Sequence, residues 1–110
     1  MGFTQTTNNG IVLVRAEGQL IVGNRQELKN LVTERLEAGE RRFVIDFSRT
    51  GYIDSSGLGA LVTISKQVRE QGGEMRLAGL NDDLRTLFEL TKLDTLFAIS
   101  NSAEQALSAF

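Results

Sequence analysis

Apolar residues recur along this chain with two periods, and the switches between them mark its elements. "IVLVRAEGQL" is rich in Val and Ile and predicts a strand from Ile11 to Glu17, broken by Gly18. A short strand around Gly2 to Gln5 precedes it. "TTNNG", Thr6 to Gly10, reads as the turn between them, because Asn and Gly tolerate positive φ. From Arg25 the spacing becomes helical: Leu28, Leu31, Val32 and Leu36 recur at steps of three and four, with Asn24 as N-cap and Gly39 as the stop. "RRFVIDF" then gives a strand from Arg42 to Phe47. Its unbroken Phe43-Val44-Ile45 run suits a strand covered on both faces. "SRTG" reads as a turn, and Tyr52-Ile53 as a short extended piece.

The second half repeats the alternation. Leu58, Leu61, Val62, Ile64 and Val68 predict a helix from Ser56 to about Gln71, capped by Ser55 and closed by Gly72-Gly73. "EMRLAGL" is a strand of alternating type, with Met75, Leu77 and Gly79 on one face. Asn81 caps a further helix whose first turn carries Asp82 and Asp83, the sign that suits the helix dipole. Leu84, Leu87, Phe88 and Leu90 form its buried side. A last strand, Leu96 to Ile99, leads to a terminal helix capped by Ser102. The order β-β-α-β-α-β-α-β-α predicts an α/β domain with a mainly parallel sheet. Phe43, Phe47, Phe88 and Phe97 belong in its core.

Composition narrows the function. The 110 residues fit one domain, 1–110, large enough to bury a single core. A net charge of −2 with scattered Lys and Arg leaves no basic face for nucleic acid. The apolar runs are too short to cross a membrane, and the N-terminal residues lack the pattern of a signal peptide. The chain has no Cys and no His, which removes thiol nucleophiles, imidazole bases, the usual zinc sites and disulfides together. Asp46, Asp54, Lys66 and Glu74 remain, but nothing in their spacing marks a catalytic pair. The expectation is therefore a protein without enzymatic activity, metal or cofactor.

One stretch asks for more than packing. In "YIDSSGLGALV" two hydroxyls and two glycines stand where a strand gives way to a helix. Functional groups collect at the carboxyl ends of strands in open α/β sheets, and the first turn of a helix offers free N–H groups and partial positive charge. Three readings compete. Ser55 is a helix cap. Or the loop binds phosphate, although it matches neither G-x-x-x-x-G-K-[ST] nor G-x-G-x-x-G. Or a phosphate is attached covalently, where the helix terminus would tolerate its charge and Gly57 and Gly59 would let another protein approach the backbone.

The segment "VIDFSRTGYIDSSGLGALVTISKQVREQGGEMRLAGL" resembles the anti-sigma factor antagonist family, single-domain bacterial proteins of the STAS fold. The "D-S-S-G-L-G" core followed by "GG" and a strand carries the likeness, which continues through "NDDLRTLFELTKLDTLFAI". The resemblance implies a STAS-type α/β domain with a mixed sheet of four to five strands. It implies a cytoplasmic partner switch: the unphosphorylated form binds an anti-sigma factor that is also a serine kinase, and the sigma factor is released. It places the phosphate on Ser55, with Ser56 ranked behind it, and a metal-dependent serine phosphatase as the resetting partner. Asp54, Ser55, Ser56, Gly57, Leu58 and Gly59 would form the partner surface. The family's usual "G-E-L-D" is here "GQLI", Gly18 to Ile21, so both acids are missing and Ile21 joins the expected contact surface, with Leu20 and Val22 beside it. The alternative is a STAS scaffold in a stress-signalling or transporter-linked assembly, with no phosphorylation switch.

Overall fold

A computed structural model describes residues 2–110. Five strands form one mixed sheet in the order β1-β2-β3-β4-β5, with β1 (Gly2–Asn8) antiparallel to β2 (Ile11–Leu20). β3 (Arg42–Ile53), β4 (Glu74–Ala78) and β5 (Ala98–Ser100) continue the sheet in parallel. Helices α1 (Arg25–Glu37), α2 (Ser55–Glu70) and α3 (Asp82–Leu90) fill the crossovers, and α4 (Ala103–Ser108) ends the fold. A single 3-10 turn, Leu93–Thr95, lies between α3 and β5.

The two sheet faces are covered unequally, and the alternation within each strand says how. Val12, Val14 and Ala16 of β2, with Phe43, Ile45 and Phe47 of β3, face the main core beside α1, α2 and α3. The residues between them point the other way: Ile11, Leu13, Val44 and Ala78 pack under Ala103 and Ala106 of α4. The runs 11–14 of β2 and 43–47 of β3 are thus covered on both faces, which explains their near-continuous apolar sequence. The four phenylalanines expected in the core are there, Phe43, Phe47 and Phe88 fully buried and Phe97 nearly so.

Several boundaries differ from the sequence expectation. β1 does not stop at Gln5. It runs to Asn8, and the turn shrinks to Asn9-Gly10, whose φ values of 53° and 79° suit a two-residue hairpin. Gly18 does not end β2. With φ of 87° it sits between two register shifts, and the strand resumes to Leu20. "SRTG" is not a turn either. β3 stays paired with β2 through Thr50 and on to Ile53, and the buried Thr50 hydroxyl donates to the Ala16 carbonyl at 2.8 Å.

Smaller corrections follow the same logic. Leu90 is 77% exposed, outside the buried side of α3. Leu96 belongs to the segment after the 3-10 turn, and β5 starts at Ala98. Gly79 lies past the end of β4 with φ of 76°, so it shares no strand face with Met75 and Leu77. Asn24 precedes α1 without a side-chain cap. Its amide instead donates to the Gln19 carbonyl at 2.8 Å, and its Oδ1 accepts from the Ile21 N–H at 2.8 Å. It therefore closes the loop after β2 on itself.

Candidate functional site: the β3–α2 hinge

The overshoot of β2 and β3 beyond their bulges carries their ends, Leu20 and Ile53, side by side. The chain then turns into α2. Asp54 makes that turn, and it is Asp54 rather than Ser55 that caps the helix. Its backbone is extended, with φ −88° and ψ 178°, and Oδ1 accepts from the Gly57 N–H at 2.7 Å. Its own N–H donates to the Leu20 carbonyl at 3.1 Å. Oδ2 accepts from the Val22 N–H at 3.2 Å, across 32 residues of sequence. One carboxylate therefore ties together the end of β3, the start of α2 and the loop after β2.

Because Asp54 does the capping, the Ser55 hydroxyl is released from it. Ser55 is the first residue of α2 and is exposed, whereas Ser56 is half-buried. The first turn of α2 holds no acidic residue, so its partial positive charge is offset only by the Asp54 cap.

The two glycines differ in physical role. A Cβ on Gly57 would run into the Leu20 carbonyl oxygen and lie 2.9 Å from Ile53 Cγ2, so close packing of α2 on the strand ends requires glycine there. A Cβ on Gly59 would meet nothing within 4 Å. Gly59 is exposed in the body of a helix, where glycine costs stability, and internal packing gives no reason for it.

Beside Ser55 lies an open groove of about 500 Å³, lined by Tyr52 and Ile53 of β3, Ser55 and Leu58 of α2, and Leu84, Leu87 and Thr91 on the α3 side. Its chemistry is apolar with two carboxylates, Asp54 and Asp83, on its wall and no cation. Tyr52 stands 57% exposed at its rim. On the opposite flank of the hinge, Val22 is 62% exposed and Ile21 half-buried. Leu20, by contrast, is fully buried, so this flank presents Ile21 and its neighbour Val22 but not Leu20.

The structure brings Ile21, Asp54, Ser55, Ser56, Gly57, Leu58 and Gly59 to one end of the sheet, with Gly57 buried in its support rather than presented. Tyr52, Leu84 and Leu87 are groove residues that the sequence reading did not assign to the site. Tyr52 carries the one available signal, an aromatic two residues before the hinge acid. The leucines gave none, since helical spacing looks the same for core and groove.

The scattered catalytic candidates stay apart. Asp46 is buried toward the α4 side, held by the Arg15 Nε at 3.2 Å and by the Ser48 N–H and hydroxyl at 3.0 and 3.2 Å. Glu74 pairs with Arg76 at 2.8 Å, and Lys66 points to solvent on α2. Among the described residues no group of three or more carboxylates is placed to hold a metal ion, and no helix is long and apolar enough to cross a membrane.

A five-stranded mixed sheet with this hinge defines a class, and comparison with known proteins agrees. The STAS domain family matches residues 3–106, and the chain belongs to that family. Relatives similar in sequence carry the name of anti-sigma factor antagonists. BtrV of Bordetella bronchiseptica, named as a proposed anti-sigma factor antagonist, is 32% identical over 110 residues, all of this chain and 95% of that one. The anti-sigma-B factor antagonist of Staphylococcus aureus is 29% identical over 99 residues, 90% of this chain and 92% of that one. Among solved structures, a Thermotoga maritima protein described as a proposed anti-sigma factor antagonist superposes with a TM-score of 0.90 at 25% identity, covering 97% of this chain and 92% of that one. These relatives are regulators by name.

Proposed function

We propose that this chain is an anti-sigma factor antagonist, a single non-catalytic domain over residues 1–110 that works in the bacterial cytoplasm. Its unphosphorylated form binds an anti-sigma factor with serine kinase activity, freeing a sigma factor. Phosphorylation of Ser55 blocks that binding, and a metal-dependent serine phosphatase restores it. The observation that carries this reading is the division of labour at the hinge: Asp54 caps α2, and Ser55 beside it presents an exposed hydroxyl at the mouth of an apolar groove.

The partner would seat apolar side chains against Tyr52, Leu58 and Leu87 and pass its backbone close over Gly59. Ile21 and Val22 extend the contact on the other flank, where relatives with "G-E-L-D" would present acids. A phosphate on Ser55 adds about −1.5 to −2 charge without touching the core. A dianion facing one partner carboxylate at roughly 6 Å, at an effective dielectric of about 20, is opposed by about 5 kcal/mol. Converting a complex from almost all bound to almost all free takes about 5.5 kcal/mol, so the two magnitudes match.

The test is phosphorylation of the purified chain by the anti-sigma factor kinase of its own genome, with the phosphosite located by mass spectrometry and binding measured by calorimetry. Phosphate on Ser55, none on Ser55→Ala, and weak binding by Ser55→Asp are expected. Phosphate on Ser56 instead, or Ser55→Asp binding as tightly as Ser55→Ala, would sink the proposal.

A further inference from the structure

β1 is the outer strand of the sheet, and among the described residues nothing pairs with its far side. Edge strands in natural proteins are normally protected by brevity, charge, proline or a bulge. The opposite edge, β5, is protected by brevity, at three residues. β1 has none of these devices. It is seven residues long, reads "GFTQTTN" without a charge or a proline, and keeps an unbroken register with β2 from Gly2 to Asn8. Thr4 through Asn8 are exposed, so three β-favouring threonines and a row of unpaired backbone groups face solvent.

We propose that β1 pairs antiparallel with β1 of a second copy of this chain, about a two-fold axis through Gln5, joining two sheets into one of ten strands. The sequence of β1 is self-complementary about that axis. Phe3 falls opposite Thr7, Thr4 opposite Thr6, and Gln5 opposite Gln5. Thr–Thr pairs across strands are favourable, and two facing carboxamides each donate and accept. The next strands inward also agree. Arg15 sits beside Thr4, and its row would continue through Thr6 to Leu13 of the second copy. Glu17 sits beside Gly2, and its row would continue through Asn8 to Ile11. No like charges are brought together.

A second copy fits better than a foreign strand because every pair in the register is supplied by the chain itself. β2 separates β1 from β3, so pairing at this edge leaves the Ser55 hinge of each copy open. The inference does not depend on the proposed partner switch. One strand pair buries less than a standard interface, so the dimer is weak and concentration-dependent.

Sedimentation equilibrium from about 10 µM to about 1 mM tests it, since this range brackets a weak interface. Wild-type mass should rise from 12.1 kDa toward twice that value. Gln5→Lys and Gln5→Glu, each placing like charges on the axis, should remain at monomer mass with unchanged thermal unfolding. An equimolar mixture of the two should regain the dimer. Amide NMR shifts of the wild type should change with concentration along Gly2 to Asn8. A wild type that stays monomeric throughout, a dimer indifferent to Gln5→Lys, or concentration-dependent shifts centred on the exposed Leu90 and Leu96 would each overturn the proposal.

Discussion

Asp54 and Val22 lie 32 residues apart in sequence and are joined by a hydrogen bond from the Val22 N–H to Asp54 Oδ2 at 3.2 Å. The same carboxylate accepts from the Gly57 N–H through Oδ1. Removing it therefore releases a helix cap and a loop clasp together. Asp54→Ala is expected to destabilise the fold by about 1–2 kcal/mol, the upper part of the range for a lost N-cap. Urea unfolding measures this directly. Asp54→Asn keeps an acceptor for Gly57 and should lose less. If Asp54→Ala unfolded at the wild-type urea midpoint, the capping role assigned to Asp54 would be wrong.

Gly57 and Gly59 make opposite predictions two residues apart. Gly57→Ala forces a methyl into the Leu20 carbonyl, a backbone atom that cannot swing aside. Overpacking of this kind costs about 1–3 kcal/mol. Gly59→Ala enters open space on an exposed helix face and should stabilise by about 0.5–1 kcal/mol through helix propensity. Thermal unfolding of the two variants should show opposite signs. A larger side chain, as in Gly59→Leu, should keep the fold and weaken partner binding. Unaltered binding by Gly59→Leu would remove Gly59 from the contact surface.

The order of elements was legible in the sequence because strand and helix periods alternate cleanly. What was not legible came from pairing between distant segments. "SRTG" has the composition of a turn, yet it is held extended by β2, with Thr50 bonded to the Ala16 carbonyl at 2.8 Å. No local signal announces such a partner. Leu90 failed for a geometric reason: it follows Leu84 by six residues, which places it about 120° off the Leu84–Phe88 stripe. The hinge itself was visible as D-S-S-G, but the choice of cap between Asp54 and Ser55 was not, since both are good caps. The position of Leu20 decided it, because the strand end fixes where the chain can turn.

Gly79 and Asp46 provide a test away from the hinge. The backbone at Gly79 has φ of 76°, and a Cβ there would lie 2.8 Å from Asp46 Oδ1 and 2.9 Å from the Ser48 nitrogen. Asp46 in turn holds the Ser48 N–H and hydroxyl and the Arg15 Nε. Asp46→Ala leaves the Ser48 N–H without its carboxylate partner, at a cost of about 1–3 kcal/mol. Gly79→Ala should lose a similar amount through crowding and positive φ. The two sites touch, so the double variant should lose less than the sum. Additive losses in denaturant titrations would mean that they act separately.

The terminal helix α4 is short, but it covers the apolar patch on the second face of the sheet. Ala103 and Ala106 lie over Ile11, Leu13, Val44 and Ala78, and Phe110 stacks under the Arg76 guanidinium at 4.8 Å. Truncation before Ala103 would expose four strand side chains in one contiguous patch, a feature that monomeric domains avoid. Ala106→Asp is the finer test. Ala106 is fully buried, so a carboxylate there must be desolvated or must pry α4 off the sheet. The variant should bind the dye ANS and lose several degrees of thermal stability, while its far-UV circular dichroism stays close to wild type because the three large helices pack on the opposite face. If Ala106→Asp unfolded like the wild type and bound no dye, α4 would not be sealing this face, and the dryness of β2 and β3 on that side would need another cause.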